Sequence, residues 1–226
     1  MVRLYDKIKY TLKEVAPSIW LVECDDTFDL AMLFCRYQEF YESPFTGIKG
    51  KVFSMFDYIR YYSRKNKNRF TYAEDWRGFN VPSDVIYEIL SRDSDTICLN
   101  VYDHEMLKIA KRINGLSLKP FYLIGVKKGD TATIKHEMAH GFYSTNKDYH
   151  DAMIKLLKSI PLALRKKTFV CLKKMGYNKA VHMDELHAYL IDSLNDPDLR
   201  SVKKQLKQYQ PIFRKTFKKY YNEKTH

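Results

Sequence analysis

Two histidines four residues apart, His136 and His140, constrain the fold of this chain more than any other feature. They lie in the stretch TIKHEMAHGFY, and Glu137 directly follows the first of them. Each residue of an α-helix turns the chain by about 100°, so residues four apart return to the same face. Two imidazoles on one face can hold a single ion, and the glutamate projects to one side of it. The spacing therefore predicts a helix that carries a metal site.

The apolar residues of the same stretch agree with a helix. Ile134, Met138 and Phe142 recur every four residues, on the face opposite the histidines. We expect this stripe to pack into the core and the histidines to face a cleft. The preceding segment FYLIGVKKGD predicts a strand, and Thr131 or Thr133 is expected to cap the helix.

Zinc is the ion that this pair of imidazoles favours, since zinc accepts neutral histidine and its catalytic sites use three protein ligands and a water. The third ligand has to come from outside the motif. In metzincins a glycine and a third histidine follow the motif at fixed positions. Tyr143 and Asn146 occupy those positions here, so this class is excluded.

The downstream segment HMDELHAYLID supplies further candidates. It has the pattern of a helix over residues 182–194, and Glu185, Ala188, Tyr189 and Asp192 share one face of it. The small side chain of Ala188 would allow this helix to approach the motif helix closely. Asp192 is a candidate acceptor for the outer N–H group of a metal-bound imidazole.

An HExxH helix followed by a glutamate on a second helix, in the setting Glu-x-x-Ala, resembles the small gluzincin zinc metallopeptidases. The resemblance covers residues 122–194. It implies that His136, His140 and Glu185 are the zinc ligands and that Glu137 is the general base. The chain departs from larger gluzincins because it lacks their NExxxD pattern, with Tyr189 four residues after Glu185.

Other residues compete for the third ligand position. Asp184 would give an aspartate-ligand variant. His182 lies three residues before Glu185 on the same face, and it is a candidate ligand or oxyanion donor. Cys98 precedes the motif in a way that resembles peptide deformylases, although the other motifs of that family are absent.

The gluzincin resemblance implies a zinc-dependent hydrolase that cleaves bonds of a peptide or protein substrate. Glu137 would take a proton from the attacking water and pass it to the leaving amine. The oxyanion needs a donor besides the metal, and Tyr143, Tyr189 and His182 are the candidates. Two alternative functions are a zinc-site fold that has lost catalysis and a protein that binds nucleic acid through its basic tail.

The chain as a whole predicts an α+β fold. A mostly helical, zincin-like domain with a small mixed sheet is expected over residues 1–197, followed by a basic helical extension over residues 198–226. Strands are expected at residues 18–24, 96–103 and 121–130. Besides the motif helix, helices are expected at residues 25–43, 54–65, 83–93, 105–113, 148–159, 162–175 and 182–194. Each of the two later strands is a candidate edge strand for binding an extended substrate.

Two segments outside the motif carry aromatic and acidic residues of the kind that line clefts. The helix end CRYQEFYESPF, residues 35–45, is expected to carry solvated charges. The segment FTYAEDWRGFNVPS, residues 70–83, is expected to form a packed loop.

Charge and cysteine content indicate candidate partners and a cellular compartment for the protein. The net charge is +12, and the tail from Asp198 onward holds nine Lys or Arg residues against two acidic ones. Its apolar residues recur at helical intervals, so we expect it to pack on the domain, with nucleic acid or an anionic surface as candidate partners. The sequence shows no secretory signal and no membrane-spanning run. Its four separated cysteines, Cys24, Cys35, Cys98 and Cys171, indicate free thiols, so a cytoplasmic location is expected.

Overall fold

A computed structural model of the chain describes residues 7–45, 47–92, 99–115 and 119–222. Within these residues one four-stranded sheet has the order β1-β2-β4-β3. Its strands are β1 Tyr10–Ala16, β2 Ile19–Cys24, β3 Gly78–Pro82 and β4 Tyr122–Lys127. The two outer pairs are antiparallel and the central pair, β2 with β4, is parallel. The predicted α+β architecture with a small mixed sheet is confirmed.

Helices make up most of the remaining described chain. They are α1 Thr27–Glu42, α2 Met55–Lys65, α3 Tyr72–Asp75, α4 Ser83–Ser91, α5 Val101–Asn114, α6 Thr131–Thr145, α7 Lys147–Ser159, α8 Leu162–Lys174, α9 His182–Ile191, α10 Arg200–Leu206 and α11 Gln210–Asn222. Two short 3₁₀ turns, Lys179–Val181 and Pro197–Leu199, precede α9 and α10. Among these helices none has both the length and the apolar character needed to cross a bilayer.

The strand predicted at residues 96–103 is wrong where the structure describes it. The side chain of Asn100 accepts hydrogen bonds from the backbone N–H groups of Tyr102 and Asp103, and the Asp103 carboxylate accepts one from Asn100 N. This capping box starts α5 at Val101, because it satisfies the backbone donors that a helix leaves free at its first turn. The rest of the predicted strand, residues 96–98, lies outside the described residues.

The segment predicted as a loop at residues 70–83 contains α3 and β3. Phe79 and Val81 of β3 are buried. β3 is an edge strand of the sheet and lies beside α6. The candidate edge strand at residues 121–126 is instead central, paired on both sides through β4. At Asn80 the outward backbone N–H of β3 donates to Gln38 Oε1 at 3.0 Å, so α1 covers part of this edge.

Two hydrophobic clusters lie on the two faces of the sheet. Alternate side chains of a strand point to opposite faces. Tyr122 and Ile124 therefore join the cluster with α6 to α11, whereas Leu123 joins the cluster with α1 to α5. Gly141 of α6 approaches β2 so closely that an added Cβ atom would lie 3.0 Å from the Ile19 side chain. The motif helix is thus set directly on the sheet.

The basic tail packs into the same core as the motif helix. Phe213 and Phe217 are buried with Val202 and Leu206 in the cluster that contains α6 and α9. Arg214 Nε donates to the carbonyl oxygen of Ile191 at 2.9 Å, at the end of α9. The predicted division of the chain between residues 197 and 198 stays a prediction.

Candidate metal centre

Asp130 begins the motif helix. Its carboxylate accepts from Thr133 N at 3.2 Å and from the Thr133 hydroxyl at 2.7 Å. The prediction that Thr131 or Thr133 caps the helix is therefore wrong by one or three residues, since Asp130 accepts both bonds. Met138 and Phe142 are buried as the stripe predicts, and Ile134 is half-buried against the same cluster.

Three side chains converge where α6 faces α9. His136, His140 and Glu185 each present a ligand atom, and these atoms all lie within 4.8 Å of one another. The separations are 3.6 Å from His136 Nε2 to Glu185 Oε2 and 3.6 Å from His140 Nε2 to Glu185 Oε1. The two histidine ring centroids lie 4.9 Å apart. The two helices thus bring together residues that are 45 or more positions apart in sequence.

This group could hold a metal ion. Tetrahedral zinc with bonds of about 2.0–2.1 Å places its ligand atoms ~3.3 Å apart, close to the observed separations. His140 Nε2 and Glu185 Oε2 are buried and have no hydrogen-bond partner among the described residues. A buried polar atom without a partner is costly, and a bound cation would satisfy both. Two imidazoles and a carboxylate suit a divalent ion such as zinc.

Asp184 contacts the opposite edge of the His140 ring. Its Oδ1 lies 2.8 Å from His140 Nδ1 and 3.1 Å from His187 Nδ1. It therefore takes the outer position that the sequence suggested for Asp192, and it is outside the group of converging ligand atoms. A carboxylate this close to the outer ring nitrogen orients a metal-binding imidazole and raises its basicity. Asp184 holds His140 with Nε2 directed at Glu185.

Burial and neighbouring charges have opposite effects on the pKa values of His140 and Asp184. Burial opposes protonation of His140, but the Asp184 and Glu185 carboxylates outweigh it and raise the pKa of the imidazole. Burial also opposes ionisation of Asp184, yet His140 and then His187 bring the pKa of that carboxyl below its usual range. The site therefore concentrates negative charge around a buried imidazole, a setting that attracts a cation.

Glu137 is buried beside the histidines and is held from β3. Asn80 Nδ2 donates to Glu137 Oε2 at 3.1 Å, and the Tyr122 hydroxyl donates to Asn80 Oδ1 at 2.6 Å. The second bond fixes the orientation of the amide, so its N–H group faces Glu137. Burial raises the pKa of Glu137, which the two neighbouring histidines partly offset. A carboxylate with a raised pKa and a fixed position suits a general base.

The structure places the predicted oxyanion donors Tyr189 and Tyr143 in different surroundings. The Tyr189 ring lies 5.0 Å from the His136 ring, and its hydroxyl lies 3.0 Å from the Tyr177 hydroxyl. Both tyrosines line a cleft beside His136 and Glu137. Tyr143 instead stacks on His187 at 4.7 Å, behind His140.

Among the described residues, His182 does not join the converging group. His182 Nε2 lies 3.1 Å from the carbonyl oxygen of Tyr177, and its ring packs against Phe169. The Nε2 atom of His182 therefore has its partner outside the group of converging ligand atoms. Cys98 lies outside the described residues. Asp192 lines the cleft, where burial raises its pKa and nearby His136 partly offsets the rise.

The cleft beside His136 and Glu137 has a volume of about 620 Å³. Its wall includes Trp76 and Gly78 from the segment that the sequence assigned to a packed loop. Glu39 from the end of α1 also lines it, although that helix end was predicted to carry solvated charges. Glu39 is only 5% exposed. No pattern in the sequence indicates that α1 ends at the site, because the contact depends on how α1 crosses β3.

Comparisons with protein-family models, with curated proteins and with solved structures find no match to this chain. The gluzincin resemblance therefore rests on the sequence, through its HExxH spacing and the later Glu185, and stays a prediction.

Proposed function

We propose that this protein is a zinc-dependent peptidase. One observation carries the proposal: the buried, unpartnered ligand atoms of His140 and Glu185 meet His136 next to a fixed Glu137. A site that only binds metal has no need of a glutamate held at its side by Asn80 and Tyr122. That positioning is the feature that favours hydrolysis over a zinc-site fold without catalysis.

His136, His140 and Glu185 would hold the ion. When bound, zinc supplies Lewis acidity and lowers the pKa of a coordinated water toward about 7. The other roles, positioning and proton transfer, belong to residues of this chain. Asp184 keeps His140 in the orientation needed for binding, and the buried setting strengthens each of these electrostatic contacts.

Glu137 would act as the general base and then as the general acid. It accepts a proton from the water that attacks the peptide carbonyl, and it returns the proton to the amine as the C–N bond breaks. Asn80 limits the positions of the carboxylate, so the base is ready before the substrate arrives.

Tyr189 and Tyr177 are the proposed donors to the developing oxyanion. Their hydroxyls lie within hydrogen-bond distance of each other, and both residues line the cleft beside His136. A preorganised hydroxyl stabilises the negative charge that appears on the carbonyl oxygen. The extended substrate would approach the Gly78 end of β3, since Gln38 occupies the backbone N–H of Asn80.

Metal content and cleavage of a peptide library together test the proposal. We expect about one equivalent of zinc in wild-type protein and in Glu137→Gln, and cleavage by wild type alone. His150→Ala serves as a matched histidine control, because His150 lies outside the converging group. Absence of bound metal, or cleavage by Glu137→Gln at the wild-type rate, would contradict the proposal.

Binding of nucleic acid or an anionic surface by the tail is a second proposal. Lys203, Lys207, Lys215 and Lys218 are exposed although the apolar side of the tail is buried. Changing these four lysines to glutamate should abolish salt-sensitive DNA binding if the proposal holds. Retained binding would exclude the tail as the contact surface.

The cytoplasm is the proposed location of this activity. Cys24, Cys35 and Cys171 are buried free thiols, as is typical of proteins in a reducing compartment.

A further inference from the structure

Helix α8, Leu162–Lys174, has one face that the described residues leave uncovered. Its opposite face is buried in the core through Leu164, Thr168, Cys171 and Leu172. The uncovered face consists of seven exposed residues: Leu162, Ala163, Lys166, Lys167, Val170, Lys173 and Lys174. At about 100° per residue, these seven positions fall within one arc of about 140°. We call these seven residues the α8 face.

The α8 face is strongly basic. It carries four exposed lysines, and helix α8 contains no Asp or Glu. In the described part of the chain, none of the four lysines forms an ion pair with a carboxylate. Their charge is therefore available to an anionic partner, and the attraction should weaken as salt is added.

Two aliphatic side chains lie among these lysines. Leu162 and Val170 are 55% and 56% exposed. Single exposed apolar residues are common on protein surfaces. The other exposed large apolar residues of the described chain, Phe28, Phe56 and Ile212, each lie on a different helix. Among the described helices, α8 is thus the one that combines two exposed aliphatic side chains with unpaired positive charge.

A negatively charged lipid surface matches both features of the α8 face. Lysine ammonium groups attract anionic headgroups, and aliphatic side chains are stabilised when they leave water for the interfacial region of a bilayer. Nucleic acid would attract the lysines through its phosphates, but those phosphates make no favourable contact with an exposed leucine or valine. The aliphatic pair therefore favours a lipid surface over nucleic acid.

We infer that the α8 face binds an anionic membrane surface. The four lysines contact the headgroups, and Leu162 and Val170 enter the interfacial region. The buried side of α8 holds the helix in the core, so its outer face is already ordered before it meets the lipid. Binding then costs little conformational entropy in the backbone.

The α8 face ends next to the cleft beside His136 and Glu137. Helix α8 ends at Lys174, and the next three residues, Met175, Gly176 and Tyr177, line that cleft. A protein bound through α8 would therefore hold this wall of the cleft close to the bilayer. Membrane binding needs no peptidase activity, so the two functions can be tested separately.

Cosedimentation of the whole 226-residue chain with lipid vesicles tests the α8 face. Vesicles of phosphatidylcholine alone are compared with vesicles that also contain about 30% phosphatidylserine. We expect wild type to bind the anionic vesicles at least about tenfold more tightly, with the preference lost at high salt. Lys166→Gln with Lys173→Gln should weaken this binding by about thirtyfold, because each lysine near the surface contributes about fivefold.

Matched variants separate the α8 face from the rest of the surface. Lys215→Gln with Lys218→Gln removes the same charge from exposed positions of α11 and should bind as wild type does. Leu162→Gln with Val170→Gln keeps every charge and should still weaken binding by about tenfold. Phe56→Gln with Ile212→Gln is the control for that pair, since both residues are exposed on other helices.

Equal binding to the two kinds of vesicle, no binding to either, or equal losses in the α8 and α11 lysine variants would overturn the inference. Unchanged binding by the variant of Leu162 and Val170 would overturn it as well, as would binding of duplex DNA through the α8 lysines without binding of vesicles. Circular dichroism verifies folding, and the single substitutions serve where a double variant fails to fold. Vesicle binding by a protein that cleaves no peptide would retain the α8 face and overturn the peptidase proposal alone.

Discussion

Gly78 gives the Glu137 carboxylate the space it occupies. A Cβ atom at position 78 would overlap Glu137 Oε1, and it would also contact the methyl group of Thr133. The glycine is needed for close approach of β3 to α6, because its φ angle is not in the left-handed region. A strand from a distant part of the sequence thus determines where the proposed base can lie.

Gly78→Ala should therefore impair catalysis while leaving metal binding intact. The methyl group would displace Glu137 by a fraction of an ångström or more, and we expect kcat to fall by about 10- to 100-fold. Peptide cleavage and zinc content are the measurements. Gly47→Ala is the control, since an added Cβ atom there has open space. Unchanged kcat in Gly78→Ala would mean that Glu137 does not need this position.

Asn80→Ala should lower kcat with little effect on KM. The substitution removes the hydrogen bond to Glu137 Oε2 and leaves the metal ligands untouched. We expect a loss on the order of tenfold in kcat, the pattern of a group that acts in the transition state. Asn114→Ala, which removes a side-chain amide bonded to Tyr87, should retain full activity. Equal losses in both variants would indicate a general loss of stability instead.

Metal should stabilise the folded protein through His140 and Glu185. At a free zinc concentration a hundredfold above Kd, we expect the free energy of unfolding to rise by about 2.7 kcal/mol. Glu185→Gln and His140→Ala should show little of this gain, and His150→Ala should show all of it. Urea unfolding with and without a chelator measures the effect. A gain of the same size in Glu185→Gln would exclude Glu185 as a ligand.

Glu39→Gln should become more stable than wild type as the pH rises. Burial raises the pKa of Glu39, so the folded state holds its proton more tightly than the unfolded chain does. Below the ordinary glutamate pKa both states are protonated, and above the folded pKa the buried charge costs stability. The stability difference from wild type should therefore grow as the pH rises above the ordinary glutamate pKa of about 4.3. Urea unfolding across this range tests the sign, with Glu88→Gln as the exposed control. A constant difference would contradict the burial argument.

Phe213→Ala should destabilise the whole domain. Phe213 is fully buried in the cluster that holds α6 and α9, and loss of a buried phenyl group costs about 3–5 kcal/mol. Ile212→Ala on the same helix should change stability by less than about 0.5 kcal/mol, because Ile212 is half exposed. Chemical denaturation gives both values. Equal, small changes would indicate that the tail folds apart from the core.

The sequence predicted the parts of the protein that depend on local order. The four-residue spacing of His136 and His140 predicted a helix with both imidazoles on one face, and the apolar stripe predicted which face is buried. β2 and β4 are short apolar runs that local pattern identifies. β3 was not predicted because its residues lie among turn-forming and aromatic residues. α5 begins earlier than expected because Asn100 and Asp103 cap each other.

The sequence by itself thus determined the motif helix, the α+β class and the candidate ligands. Only the tertiary structure decided how they are used. Placing α9 against α6 brought Glu185 to the histidines and put Asp184 on the outer edge of His140. Laying β3 beside α6 supplied Asn80 and Gly78, and packing α1 against β3 brought Glu39 to the cleft. These contacts join residues tens of positions apart, and their geometry is set by the packing of helices on a sheet, which no local pattern encodes.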